Sequence, residues 1–360
     1  MAYNKSQQGK SKYRSEALVF AQDATLNLSK LRDELINETY EFSGYFEFTV
    51  TQPKVRVINA PHYRDKIVQL AINNVLKGIF NPGLIDHTYA CIDGRGTHRC
   101  VDKISEFSRK AKWEYGPEAY FVKVDVKKFF YSLDRDILKE FIDRKINDDK
   151  ALRLVYKIID SAGSIDKLGM PLGNTLSQLS ANITMNAVDQ YCKRTLSLRY
   201  YVRYADDVVI IVRNKDEANR ILNSVMNHLN TRLNLNANKN KSKIFPISQG
   251  VNTVGFKIYS THRLLRNESK KTIKQKLRKM RKLIVNETME PEKAEQILNS
   301  WYGHAKNGNS YNFVLKLLNK YDYIKIENGT VKIIEEVIEN ERTLLRRESI
   351  QTSNAQGELH

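Results

Sequence analysis

Two runs of apolar, mostly β-branched and aromatic residues each meet an aspartate, and this pattern constrains the fold more than any other feature of the chain. The first run, Ala119-Tyr120-Phe121-Val122-Lys123-Val124, is closed by Asp125; the second, Tyr200 to Val212, carries Asp206-Asp207 near its middle. Such runs predict strands with both faces covered, and Ala205-Asp206 reads as the tight turn of a hairpin. An Asp-Asp pair in an ordinary loop would be a solvated tip. Here the flanks are apolar, and a carboxylate between buried strands is costly unless cations or waters meet it. A third carboxylate from a neighbouring strand end would complete an oxygen-rich site suited to Mg²⁺. Two such ions about 3.5–4 Å apart can activate an attacking hydroxyl and stabilise a leaving pyrophosphate.

Around these runs, helices and strands alternate irregularly. The spacing predicts a flexible basic lead-in over residues 1–14 and one or two helices over 17–42, from Leu18, Leu26, Leu31 and Leu35. A hairpin follows over 45–58 around Gln52-Pro53, then a helix over 65–80 stopped by Asn81-Pro82-Gly83. Further helices are expected over 137–146, 151–161, 176–196 and 217–233, with a short strand over 252–259. From 269 the pattern is mostly helical until a hairpin over 323–333 turned by Asn328-Gly329, and the last ten residues read as frayed. The class implied is α+β with a mostly antiparallel sheet, not a doubly wound one.

The chain carries 59 Lys+Arg against 41 Asp+Glu, a formal charge of +18, with 41% apolar residues, which excludes wholesale disorder. No run is long and apolar enough to span a membrane, no apolar leader opens the chain, and three cysteines make no disulfide framework. The expectation is a reduced, cytoplasmic protein with a polyanionic partner, nucleic acid above all.

Tyr204-Ala205-Asp206-Asp207 resembles the YxDD box of reverse transcriptases, and Asp125 with Phe129-Phe130 resembles their D-x-x-x-F-F box. The resemblance implies a right-hand polymerase that copies template RNA into cDNA from dNTPs. Its fingers would lie mainly in 15–118, the palm with interleaved fingers in 119–259, a helical thumb in 260–320 and a C-terminal extension in 321–360. By the same resemblance Asp125 and Asp206 hold two Mg²⁺ ions, or Mn²⁺, with Asp207 supporting and the Val126 carbonyl as a further ligand. Phe130 matches the aromatic that excludes a ribose 2′-OH; many relatives follow the Phe pair with Asp, where this chain has Tyr131.

The other boxes follow in order. Pro53 to Ile58 resembles the fingers hairpin that grips the triphosphate; Arg56 suits phosphate by its planar fork, while Lys54 serves equally as a solvated strand charge. Tyr89-Ala90 with Gly94 to His98 resembles a fingers segment whose Arg95 contacts nucleic-acid backbone. His87, Cys91, His98 and Cys100 cluster nearby, but their spacing fits no standard zinc pattern. Lys239, Lys241 and Lys243 crowd the box whose lysine protonates pyrophosphate, with Lys241 favoured, and Gly250 to Phe256 resembles the primer-grip hairpin.

Between these boxes stands Gly169-Met170-Pro171-Leu172-Gly173-Asn174-Thr175-Leu176-Ser177-Gln178. Most reverse transcriptases have Gln at the place of Leu172 and Pro at the place of Gln178. Both departures resemble the reverse transcriptases of diversity-generating retroelements, within the group II intron-like superfamily. That branch implies adenine-directed misincorporation into cDNA, a small basic accessory protein and a bacterial or phage-infected cell. An aliphatic side chain beside the nascent base pair offers no hydrogen bond, which weakens discrimination by unpaired polar groups. Simple packing is the alternative for Leu172. An ordinary-fidelity bacterial enzyme, from antiphage defence or of group II intron type, is the alternative for the whole, and a scaffold without activity is a third.

Residues 261–282 hold ten Lys/Arg and one Glu. On a helix from Ser269, Lys270, Lys274, Arg278 and Arg281 share one face and Ile273, Leu277, Met280 and Ile284 another, so the basic side could track a phosphate backbone. A solvated charged face is the plain alternative.

Overall fold

Strand pairing explains how both apolar runs can be buried. A computed structural model describes residues 1–51, 55–161 and 167–357. The chain forms two compact units, Met1–Ile247 and Ser248–His360.

The first unit opens with helices α1 (Ala2–Ser6), α2 (Ser15–Gln22) and α3 (Ala24–Ile36) and the antiparallel hairpin β1 (Tyr45–Val50) and β2 (Arg56–Pro61). Helix α4 (Tyr63–Phe80) stops at the Asn81–Gly83 breaker, and α5 (Thr97–Tyr115) leads into β3 (Tyr120–Asp125). Short α6 (Phe129–Ser132) follows, then α7 (Arg135–Asp143), α8 (Asp149–Asp160) and α9 (Ser177–Gln190). Strands β4 (Tyr200–Tyr204) and β5 (Asp207–Val212), helix α10 (Lys215–Leu233) and β6 (Lys243–Pro246) complete it. Local chemistry sets several of these boundaries. Asp134 caps α7 by accepting from the Asp136 and Ile137 amides, Asp148 caps α8, and Asn214 caps α10. At its other end α10 closes on Asn234 in the left-handed conformation.

The central sheet has the order β4-β5-β3-β6, all antiparallel. Val122, Val124, Val208 and Ile210 join one core with Leu138 of α7, Ile183 and Met185 of α9, and Val225 and Leu229 of α10. The alternate residues face the other way: Tyr200, paired with Ile211, meets Phe107 of α5 at 5.3 Å between ring centres. Asp125 and Asp207 lie on this second face, directly opposite each other in the register.

The second unit holds a three-stranded meander, β7 (Val251–Thr253), β8 (Phe256–Ile258) and β9 (Arg263–Leu265), where one short strand was expected. Helices α11 (Asn267–Val285), α12 (Pro291–Ala305) and α13 (Tyr311–Leu318) come next, then the hairpin β10 (Ile324–Glu327) and β11 (Thr330–Ile333), and α14 (Glu335–Gly357). Asn328 and Gly329 both have positive φ, 48° and 74°, as the Asn-Gly turn requires. Ile273, Leu277, Met280 and Ile284 of α11 are buried as their spacing predicts.

The structure departs from the sequence pattern at both ends of the chain and in one helix. The lead-in over 1–14 is packed, not loose: Ser6 is buried and its hydroxyl lies 2.7 Å from that of Tyr63. Helix α5 escapes the sequence pattern because its buried Cys100, Val101, Ile104, Phe107, Ser108 and Ala111 are mixed with small and polar types. Residues 321–357 lie in the second compact unit together with the helices that precede them. Tyr323 is buried and donates to the Leu277 carbonyl at 2.7 Å, and Arg342 caps the end of α11 by donating to the Ile284 carbonyl at 2.7 Å. Finally, α14 extends to Gly357, into the stretch whose pattern reads as frayed.

Candidate active site

The β4–β5 hairpin carries its turn on Ala205 and Asp206, so Asp206 projects from the end of the sheet beside Asp125 and Asp207. Ala205 takes φ 54°, a left-handed conformation that costs a non-glycine residue about 1 kcal/mol. Strain of this kind persists where surrounding structure holds it.

Each carboxylate has a distinct environment. Asp125 is buried, and Lys241 Nζ sits 3.1 Å from both of its oxygens. Its backbone is fixed by Ser242, whose hydroxyl accepts from the Asp125 amide and lies 3.2 Å from the Asp125 carbonyl, and by the Asn238 amide at 2.7 Å. Asp207 Oδ1 faces Lys123 Nζ at 3.2 Å, and that lysine is itself buried in the sheet. Burial first, with Asp125 and Asp207 adding, pushes the Asp206 carboxyl up from 3.8 to about 6, against the pull of Lys241.

The side chains gathered at this sheet end offer carboxylate oxygens, donors that suit a hard divalent cation. The expected cage of three carboxylates is not preformed. Among the described residues, no three His, Cys, Asp or Glu side chains stand close enough to share one ion. Like charges repel, and the two lysines draw Asp125 and Asp207 to themselves. Val126 is buried next to Asp125, in a bridge with Ala237 that fixes its backbone. Near the fingers segment, burial pushes the Cys100 thiol up and lowers the pKa of His87.

Distant boxes converge behind the carboxylates. Phe130 is half-buried against Phe129, and its carbonyl accepts from the Met170 amide at 2.7 Å. Leu172 is half-buried and its carbonyl accepts from the Asn59 amide of β2 at 2.7 Å. Gly173, at φ 117°, comes so close to β2 that a Cβ would stand 2.6 Å from the Asn59 carbonyl oxygen. Gln178 is exposed on the first turn of α9, and Arg56 is exposed at the start of β2. Lys54 lies outside the described residues.

Two of the basic residues named above already have partners within the protein. Arg95 donates from Nη1 to the Ile85 and Thr88 carbonyls at 2.9 and 2.8 Å, so it braces its own loop instead of offering a free fork to a phosphate. Arg281 donates to Glu341 and Asp322 at 2.8 and 2.7 Å, so carboxylates from the C-terminal segment occupy it. Lys270 and Lys274 lie over the Phe313 ring at 5.3 and 5.8 Å. The exposed basic stripe of α11 is Lys271, Lys274, Arg278 and Lys282.

Sequence reasoning passed over Lys123 and Arg203. The signal was available: each is a cation inside an otherwise apolar strand, two residues from a catalytic-box carboxylate or turn.

A sheet ending in three carboxylates, backed by helices and accompanied by a hairpin whose second strand opens on Arg56, fits the palm-and-fingers class of template-directed nucleotidyl polymerases. The chain belongs to the reverse transcriptase (RNA-dependent DNA polymerase) family, whose model matches residues 50–258, more than half of its length. Members of this family use divalent metal ions. It is similar to the group II intron-encoded protein LtrA of Lactococcus lactis subsp. cremoris, 30% identical over 145 residues, 38% of this chain and 23% of that one. It is also similar to the COX1/OXI3 intron 1 protein of Saccharomyces cerevisiae, 29% identical over 180 residues, 48% of this chain but 21% of the other. This chain thus spans under a quarter of the length of either intron protein. Protein YkfC of Escherichia coli K12 is 25% identical over 286 residues, 68% of this chain and 73% of its own. Apo telomerase from Candida tropicalis shares the fold, with a TM-score of 0.50 at 14% identity, over 81% of this chain and 64% of that structure.

Proposed function

We propose that the chain copies RNA into DNA by attack of a primer 3′-hydroxyl on the α-phosphate of a dNTP, at Asp125, Asp206 and Asp207. Two divalent ions, Mg²⁺ first and Mn²⁺ as the alternative, would supply Lewis-acid activation of the hydroxyl and neutralise phosphate charge. Asp125 and Asp206 would hold them, with the Val126 carbonyl as a further ligand and Asp207 steadied by Lys123. Arg56 receives the triphosphate from the tip of β2, Lys241 exchanges Asp125 for the leaving pyrophosphate and protonates it, and Phe130 closes the sugar pocket. On this reading Phe130→Val admits ribonucleotides, lowering the dNTP-over-rNTP preference by roughly 100-fold, since an excluded hydroxyl loses its clash. Primer extension with each nucleotide class measures it, and an unchanged preference would remove the gate.

We further propose that this synthesis is error-prone opposite template adenine and serves to diversify a target gene in a diversity-generating retroelement. It would work in the cytoplasm of a bacterial or phage-infected cell with a small basic accessory protein. One observation supports this: Leu172, which by the resemblance stands where most reverse transcriptases have Gln, is held on β2 by the Asn59–Leu172 bond and the Gly173 contact. The test is sequencing of cDNA made on an adenine-containing RNA, with and without the neighbouring basic protein. Errors should concentrate opposite adenine, and Leu172→Gln should cut them by about tenfold, the worth of one hydrogen bond. An unaltered error spectrum returns Leu172 to packing. The second reading, an accurate intron-type enzyme, is favoured by the similarity to LtrA and the COX1/OXI3 intron 1 protein and predicts faithful cDNA.

A further inference from the structure

A carboxylate carried on a two-residue turn is only as well aimed as the turn is held. We propose that Arg203, clamped by Asp189, is the positioning residue of the catalytic turn and acts through the Ala205 carbonyl; the proposal rests on the polymerase reading above for its activity arm.

Arg203 lies on β4 with a side chain that solvent does not reach. Its fork is fully used. Nε and Nη2 donate to the two oxygens of Asp189 on α9, both at 2.7 Å, while Nη1 donates to Asn182 Oδ1 at 3.1 Å and to the Ala205 carbonyl at 2.9 Å. Asp189 is held in turn by the Tyr201 hydroxyl at 2.5 Å and the Thr88 hydroxyl at 2.9 Å, and Asn182 donates to the Ala90 carbonyl at 2.9 Å. The Arg203 backbone pairs with the same loop, accepting from Tyr89 and donating to the His87 carbonyl.

A fully buried ion pair is weak ground for stability, because well-packed apolar residues of similar volume serve as well or better. What an apolar pair cannot do is aim a donor at a chosen carbonyl. That carbonyl belongs to the one turn residue in a left-handed conformation, immediately before Asp206. Relaxation of Ala205 toward an ordinary φ would swing Asp206 away from Asp125. The guanidinium therefore fixes the turn against α9 and the 87–90 loop, so that its geometry does not depend on the strand ends alone. Lysine could keep the charge but could not grip Asp189 with two parallel bonds while reaching Asn182 and Ala205.

The test uses the full chain with Arg203→Lys and with the apolar pair Arg203→Met/Asp189→Leu. Amide hydrogen exchange is read over 204–208 and, as an internal control, over α9, beside steady-state primer extension and primer–template binding. The expected result is exchange at 204–208 faster by about tenfold with α9 unchanged. The same variants should lose roughly 100-fold in kcat, with the dNTP KM and nucleic-acid affinity close to wild type, as for a group displaced by an ångström. Unchanged exchange at the turn, or an apolar pair that is folded and fully active, overturns the proposal. So does unfolding of both variants, which would make the pair a folding element. Should the wild-type chain make no DNA, the polymerase reading fails while the exchange result still decides whether Arg203 holds the turn.

Discussion

Replacing Asp206 by Asn should abolish DNA synthesis and, at the same time, make the metal-free protein more stable at neutral pH. The loss follows from the proposed role: removing one anionic oxygen from the centre of the site should leave less than about one thousandth of wild-type kcat, at the scale of losing a preorganised electrostatic group. The gain follows from burial. A carboxyl raised from 3.8 to about 6 binds its proton more tightly in the folded chain than in the unfolded one. Its charged form therefore opposes folding, by up to about 3 kcal/mol above pH 6, and this opposition fades as pH falls through 6 toward 3.8. Wild type should gain stability from this residue between pH 7 and pH 5, and the Asn variant should not. Urea melts of both proteins at pH 5, 6 and 7.5, with chelator present, measure the difference. An Asn variant that polymerises, or one less stable than wild type at pH 7.5, contradicts the assignment.

Gly173→Ala should be the most damaging of the glycine substitutions in the first unit. The new Cβ would meet the Asn59 carbonyl oxygen at 2.6 Å, the Asn59 carbonyl carbon at 3.0 Å and Ile58 Cγ2 at 3.0 Å, at a φ of 117° that a side chain rarely adopts. Backbone cannot step aside as a flexible side chain can, so the Leu172–Gly173 segment must lift from β2 and lose the Asn59–Leu172 hydrogen bond. We expect about 2–4 kcal/mol of destabilisation and a fall in activity of roughly 100-fold from displacement of the nucleotide-facing segment. Gly78→Ala is the matched control. It lies within α4 with no heavy atom within 4 Å of the new Cβ, and should stabilise by up to about 1 kcal/mol. Melting and primer extension on both variants separate the cases; an unaffected Gly173→Ala would show that the segment is free to move.

Much of the candidate site was legible because its residues break local rules. Asp125 and Asp206-Asp207 interrupt apolar runs, and no packing argument favours carboxylates there. The α11 stripe was legible for the opposite reason, since Ile273, Leu277, Met280 and Ile284 obey the helical period. Helix α5 was not legible, because buried Ser108 and Cys100 look polar or neutral until a partner covers them.

Charge was where local reading fell short. Arg95, Arg281 and Lys241 are all cations a polymerase could use, and nothing in their neighbours along the chain says which carbonyl or carboxylate each will meet. The structure gives Arg95 to its own loop, Arg281 to Asp322 and Glu341, and Lys241 to Asp125. What the sequence alone determined is most of the strands and helices and the three carboxylates, because backbone period and the cost of buried charge act through near neighbours. Only the tertiary structure decided which cations are already spent, and that Arg203 reaches both Asp189 and the catalytic turn. Electrostatic and hydrogen-bond partners are chosen by distance in space, and distance in space is what the order of residues does not encode locally.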